Sequence, residues 1–447
     1  MELVDRLLKE EIDDLTPRLA RSRAHQQEAQ RRLPNGVTCD WDLLPNGPVI
    51  IDHGSGSRIF DIDGNEYVDF HNGYGVMIMG HANPKIVAAI TERASRGTHF
   101  GLSGTDALVC ADNLAERYGL PVWRFSNSGT EATQDAVHIM RQTTGRQKII
   151  KIEGAYHGRN DSLMVSVSPE PETAGPRENP TPHASDGGLP DGVVGLVVPV
   201  PFNDLGAVQR AFADNPGQIA GMIMEPCMAN AGLVPPEPGY LKGIKDLCHR
   251  NGALLTFDEV KVGITLSWGG GTRAFGITPD LVCLAKAIGA GLPCGAIGGT
   301  EEAMSVLLGE DLEQAGTFNG NPLTMAAMRA NLTEVLTPEA YGRFDEIAEI
   351  LGGIGEVIDS YRLPANLRTM GAKGSVEWSA TPVRDHRDLW EIDGRLPDLA
   401  WVWQANRGVF EPPWNKWESW TVSLAHSDED VQRYVDNFAS LAVALTA

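Results

Sequence analysis

From Glu2 to about Arg32 leucines and charged residues alternate at helical spacing, which predicts one or two exposed amphipathic helices, a docking arm without chemistry of its own. Short extended runs follow, PVIIDH and RIFDIDGNEYVDF, split by Gly-Ser and Asp-Gly turns. They predict a small hairpin. From about Gly80 to Gly320 helical stretches alternate with short apolar runs: VWRFS, KIIKIEG, GLVVPV, IAGMIMEP, ALLTFDE and DLVCLAK. Such alternation predicts crossover connections and a largely parallel sheet covered on both faces. The stretch SPEPETAGPRENPTPHASDGGLPDG, residues 168 to 192, interrupts that rhythm and reads as a surface loop, either a plain insertion or an active-site margin. After about Asn331 a long helical segment leads into short strands and a final helix from Asp428 to about Ala444.

A chain of 447 residues is too long for one small core, so two lobes are expected. The boundaries drawn are an arm and hairpin over 1–75 that join the small domain, a large domain over 76–330, and a carboxy-terminal small domain over 331–447. Hydrophobic residues at 42% and charged residues at 21% are ordinary for a globular enzyme and exclude general disorder. A net charge of -22 repels nucleic acid and anionic membranes, so neither is expected as a partner. The six cysteines are scattered without a Cys-x-x-Cys pair, which favours reduced thiols over a disulfide framework. The opening MELVDRLLKEEIDDL is acidic where a signal peptide has an apolar core, and a cytoplasmic location is the expectation. No metal site is expected.

Three segments carry candidate chemistry. Ser126-Asn127-Ser128-Gly129-Thr130-Glu131-Ala132 follows the strand VWRF and opens a helix whose apolar face includes Ala132, Ala136, Val137 and Met140. Hydroxyls and a glycine at a helix start suit a phosphate, and equally suit simple capping. Phe257-Asp258-Glu259-Val260 ends the run ALLTF, and in a parallel sheet ligands gather at the carboxyl ends of strands. Asp258 there needs a positive partner: a protonated pyridine nitrogen, an arginine or a helix start. Lys286 closes the strand DLVCLA and enters a glycine-rich turn. Desolvation lowers a lysine's pKa and frees its amine to attack a carbonyl, while a lone lysine can also snorkel to the sheet edge.

Taken together, seven ordered segments resemble the class III aminotransferases of pyridoxal-phosphate fold type I, and within them the glutamate-1-semialdehyde aminomutases and their aminotransferase relatives. The segments are NGYGVMIMGHANPKI (72–86), SNSGTEAT (126–133), EGAYHG (153–158), EPCMANAG (225–232), FDEV (257–260), PDLVCLAKAIGAGLPCGAIGG (279–299) and AGTFNGNPLTMAA (315–327). The resemblance implies an α/β fold: a large domain with a mainly parallel mixed sheet between helices, plus a smaller α+β domain built from both termini. It implies pyridoxal 5'-phosphate held as a Schiff base on Lys286, which also shuttles the substrate proton. Asp258 would pair with the pyridinium nitrogen, Val260 would pack one ring face and Tyr156 would stack on the other. Ser128, Gly129 and Thr130 would hold the phosphate, His157 would join the cofactor site, and Glu225 and Asn230 would lie near the ring hydroxyl. Thr317 would reach the phosphate of a neighbouring subunit, making a homodimer with shared active sites.

Two departures bear on the substrate. Glu418, before Ser-Leu-Ala-His426, matches a glutamate of the aminomutases where many aminotransferases carry a carboxylate-binding arginine. The aminomutase arginine that follows Pro-Gly-Gly-Val falls near Asp42 here, so the bidentate partner of a substrate carboxylate is missing. A mouth carrying Asp40, Asp42, Glu418 and Tyr74, with Trp41, Trp414, Trp417 and Trp420, suits an amine, or an amino acid with an apolar or cationic portion. The expected reaction is transfer of an amino group to a keto or aldehyde acceptor. The alternative is intramolecular transfer by an aminomutase; racemase and decarboxylase outcomes share the same cofactor chemistry.

Overall fold

The computed structural model describes residues 2–44, 47–413, 416 and 418–447. It forms two compact units, one of Pro84–Tyr341 with Val383–Glu391, the other of Met1–Asn83, Gly342–Pro382 and Ile392–Ala447.

The first unit is built on a seven-stranded sheet. Its strands in chain order are β1 (Val122–Ser126), β2 (Lys148–Ile152), β3 (Val197–Val200), β4 (Ile219–Met224), β5 (Leu254–Asp258), β6 (Leu281–Ala285) and β7 (Gly295–Gly299). They lie in the order β1-β7-β6-β5-β4-β2-β3. All neighbours are parallel except β7, which runs antiparallel to both β1 and β6. Six strands coincide with the apolar runs; β7 is the addition. Its sequence, GAIGG, is too glycine-rich to read as a strand, yet it is buried throughout. Small residues are required there, because a Cβ on Gly298 would stand 2.5 Å from the Trp123 ring and one on Gly295 2.2 Å from the Ser128 carbonyl.

Helices cover the sheet. The helix Gly129–Thr144 buries Ala132, Ala136, Val137 and Met140 completely, the face its periodicity predicts. These side chains share one core with Ile149, Ile223, Leu281 and Ile297 from four strands. At roughly 25 cal/mol per Å2 of apolar surface, burying such side chains is the main term holding the helix down.

The second unit carries two small sheets. In one, the strands Ile51–Ser55, Arg58–Asp61 and Glu66–Asp69 form an antiparallel meander extended by Val409–Phe410, in parallel to the last. In the other, Asn366–Met370, Lys373–Glu377 and Trp420–Thr421 pair antiparallel. The amino-terminal helices Glu2–Arg18 and Ala20–Ala29 are not a merely exposed arm. Leu15 and Leu19 are buried in one core with Tyr67, Trp401 and Phe410. Asp63 accepts from the backbone N–H of Arg21 (2.6 Å) and Ser22 (2.9 Å), capping the second helix from the hairpin turn. Among the described residues no helix is long and apolar enough to cross a membrane.

Candidate active site

In the sheet of the first unit, the carboxyl ends of β1, β2, β4, β5 and β6 carry the candidate residues. After β1 the chain turns through Asn127 into the helix Gly129–Thr144, with extended Ser128 at its N-cap. Ser128 Oγ accepts from the Glu131 N–H at 3.1 Å, and the Glu131 carboxylate accepts from the Asn127 N–H, a reciprocal cap. Thr130 Oγ1 accepts from the Arg159 N–H at 3.1 Å. Beyond these, the first turn still presents backbone N–H groups and the positive end of the helix dipole. Gly129 has no room to be anything else. A Cβ there would lie 2.8 and 3.0 Å from the Val260 methyls and 3.4 Å from the Ala285 Cβ. Three loops therefore converge on one glycine: the helix start, the residue after Asp258–Glu259, and the residue before Lys286.

Asp258 ends β5 and is buried. Its Oδ1 accepts from the Val260 N–H at 3.0 Å and its Oδ2 lies 2.7 Å from His157 Nδ1. Burial pushes the His157 imidazole pKa down, with the hydrogen bond to Asp258 opposing the shift. A neutral ring that donates from Nδ1 leaves Nε2 as a bare acceptor. That nitrogen is buried and has no hydrogen-bond partner among the described residues. His157 is held from its other side too, its carbonyl accepting from Thr133 Oγ1 at 2.6 Å. Tyr156, half-buried beside it, has its hydroxyl pKa raised by burial, with Arg159 opposing.

A second polar cluster adjoins this one. Asn230 Nδ2 donates to Glu225 Oε1 at 3.0 Å and to the Tyr156 carbonyl at 3.4 Å, and Asn230 Oδ1 accepts from Lys261 Nζ at 3.0 Å. An ammonium only donates, so the Asn230 amide turns its oxygen to Lys261 and its NH2 to Glu225. Burial pushes the Glu225 carboxyl up to about 7; Lys261 works against that rise and Asp258 adds to it. The sequence reading passed over Lys261. A cation within the apolar run after FDEV was the available signal.

Lys286 follows β6, whose five residues are all buried, and is itself half-buried. Its φ of 52° puts it in the left-handed region, where a side chain other than glycine's is strained. The short turn Lys286–Gly289 is held by Asn331, whose Nδ2 donates to the Ala287 carbonyl at 2.7 Å. Thr317 is exposed in a loop tied to the helix start: Asn127 Nδ2 donates to Asn319 Oδ1 at 2.8 Å, and Gln314 Nε2 to the Phe125 carbonyl at 3.1 Å.

The expected substrate residues all belong to the second unit. Trp41 and Tyr74 pack ring on ring, centroids 5.4 Å apart, and Tyr74 OH donates to the Trp41 carbonyl at 3.3 Å. Burial raises the Tyr74 hydroxyl pKa, and Glu418 and Asp42 push it the same way, so those carboxylates stand within electrostatic reach of it. Asp42 also accepts from Thr38 Oγ1 and, at 3.3 Å, from the Cys39 N–H. Trp420 lines a small cavity together with Glu418. It is buried in the core of its unit, tilted against Tyr434 at 5.2 Å and filling the space above Gly374. Trp414 and Trp417 lie outside the described residues.

A lysine, a buried carboxylate with its histidine, and a helix start crowded around Gly129 fit a phosphorylated pyridine aldehyde. The helix start suits its phosphate and the carboxylate its ring nitrogen. A seven-stranded sheet in this order, with these groups on its carboxyl edge, defines a pyridoxal-phosphate enzyme of fold type I. Residues 44–406 match the family model described as aminotransferase class-III, and the chain belongs to that family, whose cofactor is pyridoxal 5'-phosphate. The chain is 38% identical over 415 residues to glutamate-1-semialdehyde 2,1-aminomutase 2 of Brevibacillus brevis, covering 92% of this chain and 95% of that one. Among solved structures it is similar to an omega-transaminase from Sphaerobacter thermophilus (TM-score 0.90, 30% identity, 95% of this chain and 98% of that). It is equally similar to a glutamate-1-semialdehyde aminomutase from Pseudomonas aeruginosa in complex with PMP (TM-score 0.90, 30% identity, 99% of each chain).

Proposed function

We propose that this chain is a transaminase that moves an amino group from an amine or amino acid to a keto or aldehyde acceptor. The observation that carries the reading is the convergence of the loops bearing Ser128, Asp258 and Lys286 on Gly129. When bound, pyridoxal phosphate supplies an electron sink for the pair released at the substrate carbon. Lys286 would hold the cofactor, and its amine would take and return the proton at the substrate carbon. Asp258, oriented by His157 and the Val260 N–H, keeps a proton on the ring nitrogen. Ser128, Gly129 and Thr130 hold the phosphate, Val260 and Tyr156 confine the ring, and the Glu225–Asn230 pair serves its hydroxyl edge.

Thr317, exposed on its own protomer, completes the phosphate site of a second protomer in a homodimer. Cytoplasmic location is the reading that the six free cysteines favour. We assign Asp42, Trp41, Tyr74 and Glu418 to substrate selection. Carboxylates around the Tyr74 hydroxyl disfavour an acid substrate's carboxylate and favour an amine or a cationic portion.

The test is a half-reaction. A panel of amines and amino acids is added singly to the holoenzyme; an active donor discharges the visible absorbance of the bound cofactor and releases a keto or aldehyde product, identified by mass. A panel in which no donor does so refutes the reading. Glu418 and the relatives named as aminomutases support a second reading, intramolecular amino transfer. It requires one compound to become its isomer with no keto product released.

A further inference from the structure

The nine residues Val383–Glu391 belong to the sheet unit although the chain on both sides of them belongs to the other unit. They form a short tongue ending in the 3-10 turn His386–Glu391. Arg387 is nearly buried and forks onto Glu153, which is buried too: Nε to Oε2 at 2.7 Å and Nη2 to Oε1 at 2.8 Å. The same guanidinium donates to the carbonyls of Gly175 (2.8 Å) and Ala174 (3.1 Å). Beside it Trp390 Nε1 donates to the Pro169 carbonyl at 3.1 Å, and Arg177 donates to Asp388 at 2.9 Å. The stretch 168–192, which reads as a surface loop, either a plain insertion or an active-site margin, is thus anchored at its near end.

Glu153 opens the turn that leads from β2 to Tyr156 and His157. That turn is gripped three times. Arg387 holds Glu153, and the His386 ring lies so close under Gly154 (φ 83°) that a Cβ would meet it at 2.3 Å. Lys151 Nζ, fully buried, donates to the Ala155 carbonyl at 2.9 Å. Two residues further on, His157 Nδ1 meets Asp258. A chain of direct contacts therefore runs from Arg387 through Glu153 and the turn to the Asp258 carboxylate. A bidentate guanidinium–carboxylate pair fixes both position and angle, which a single contact does not.

We propose that residues 383–391 are a latch that positions Tyr156 and His157, with Arg387 its central positioning residue, so that the orientation of Asp258 depends on a segment 234 residues away from Glu153 in sequence. The inference rests on the reading of Asp258 and Tyr156 as cofactor residues.

The test uses the holoenzyme and the variants R387M and R387K. Trypsin cleavage after Arg177, followed by mass, reports whether the loop is latched; circular dichroism of the bound cofactor in the visible reports how its ring is held. In R387M, cleavage accelerates on the order of tenfold or more, because one partner of a buried pair is lost and cleavage follows the open population. The visible dichroism falls with it, and half-reaction kcat falls more than KM changes. R387K, with a point charge in place of the fork, lies between the two. An R387M enzyme that opens the loop yet keeps wild-type dichroism and kcat overturns the latch, as does one that changes nothing. Should R387M not fold, W390F removes only the donation to Pro169; faster cleavage together with weaker dichroism supports the latch, and no change in either overturns it. A wild-type enzyme without visible cofactor absorbance counts against the proposed function, and the proteolysis arm still reads the latch.

Discussion

Substituting Gly129 by alanine tests the convergence at the helix start most directly. The added Cβ would sit 2.8 and 3.0 Å from the two Val260 methyls and 3.4 Å from the Ala285 Cβ. Carbon atoms pack at about 3.5–4.0 Å, so Val260 or the helix start must move by roughly 0.5–1 Å. Val260 cannot yield easily, since its N–H is bonded to Asp258 and moving it disturbs that carboxylate. Overpacking of this kind costs about 1–3 kcal/mol, offset by up to ~1 kcal/mol because alanine is the better helix former. A displaced helix start holds the phosphate less well, and the expected weakening of cofactor binding in G129A is roughly tenfold. The assay is titration of the apoenzyme with pyridoxal phosphate, followed by absorbance. V260A removes the two methyls that cause the clash, so the double variant G129A/V260A should bind better than the two single losses added together, with a coupling of about 1 kcal/mol or more. Strictly additive losses would refute the reasoning, because the strain would then lie somewhere other than the Gly129–Val260 contact.

Three further outcomes follow from the same geometry. D258N keeps an acceptor for the Val260 N–H but loses the charge-assisted bond with His157, so cofactor affinity drops by about 1.5–3 kcal/mol and half-reaction kcat by roughly 100- to 1,000-fold; values within threefold of wild type in both would remove Asp258 from the mechanism. K286A should leave no cofactor covalently attached after borohydride reduction, read by intact mass, and labelled protein would displace Lys286 from its role. Glu225 has its folded pKa raised from 4.5 to about 7, so the stability it contributes relative to glutamine is full below 4.5 and lost as pH rises towards 7. The melting-temperature difference, wild type minus E225Q, should therefore decline across that window, and a difference that grows with pH contradicts the burial argument.

The large sheet was legible because each parallel strand announces itself as a short apolar run bounded by turns, and the polar residue just past each run lands on the ligand-binding edge. Ser128, Asp258 and Lys286 all sit at such run ends, which is why a linear reading could single them out before any contact was known. β7 was not legible, since three of its five residues are glycines that keep clear of Trp123 and the Ser128 carbonyl. Their small size is a response to neighbours, and neighbours are not written locally. The burial of Trp420 was not legible for the mirror reason: tryptophans spaced along a chain look alike whether they line a mouth or fill a core.

What the linear pattern could not supply is pairing. His157 meets Asp258 only because the sheet order puts β4 alone between β2 and β5, and nothing in EGAYHG or FDEV specifies that order. Arg387 and Glu153 are more distant still, one in a loop-like stretch and the other at a strand end. The same distinction separates the proposed chemistry from the proposed choice of substrate. The proposed handling of the amino group rests on residues at strand ends of one sheet, where a type of residue at a type of position already implies its chemistry. The proposed choice of substrate rests on Asp42, Tyr74 and Glu418, which come from an amino-terminal turn, a left-handed segment and a carboxy-terminal loop and act on one another electrostatically. A carboxylate in such a cluster gains meaning only from the charges that face it, so donor selectivity in variants such as E418R, read against acidic and basic amino donors, is the measurement that this part of the site requires: a shift towards acidic donors upholds the assignment, and an unchanged donor profile removes Glu418 from substrate selection.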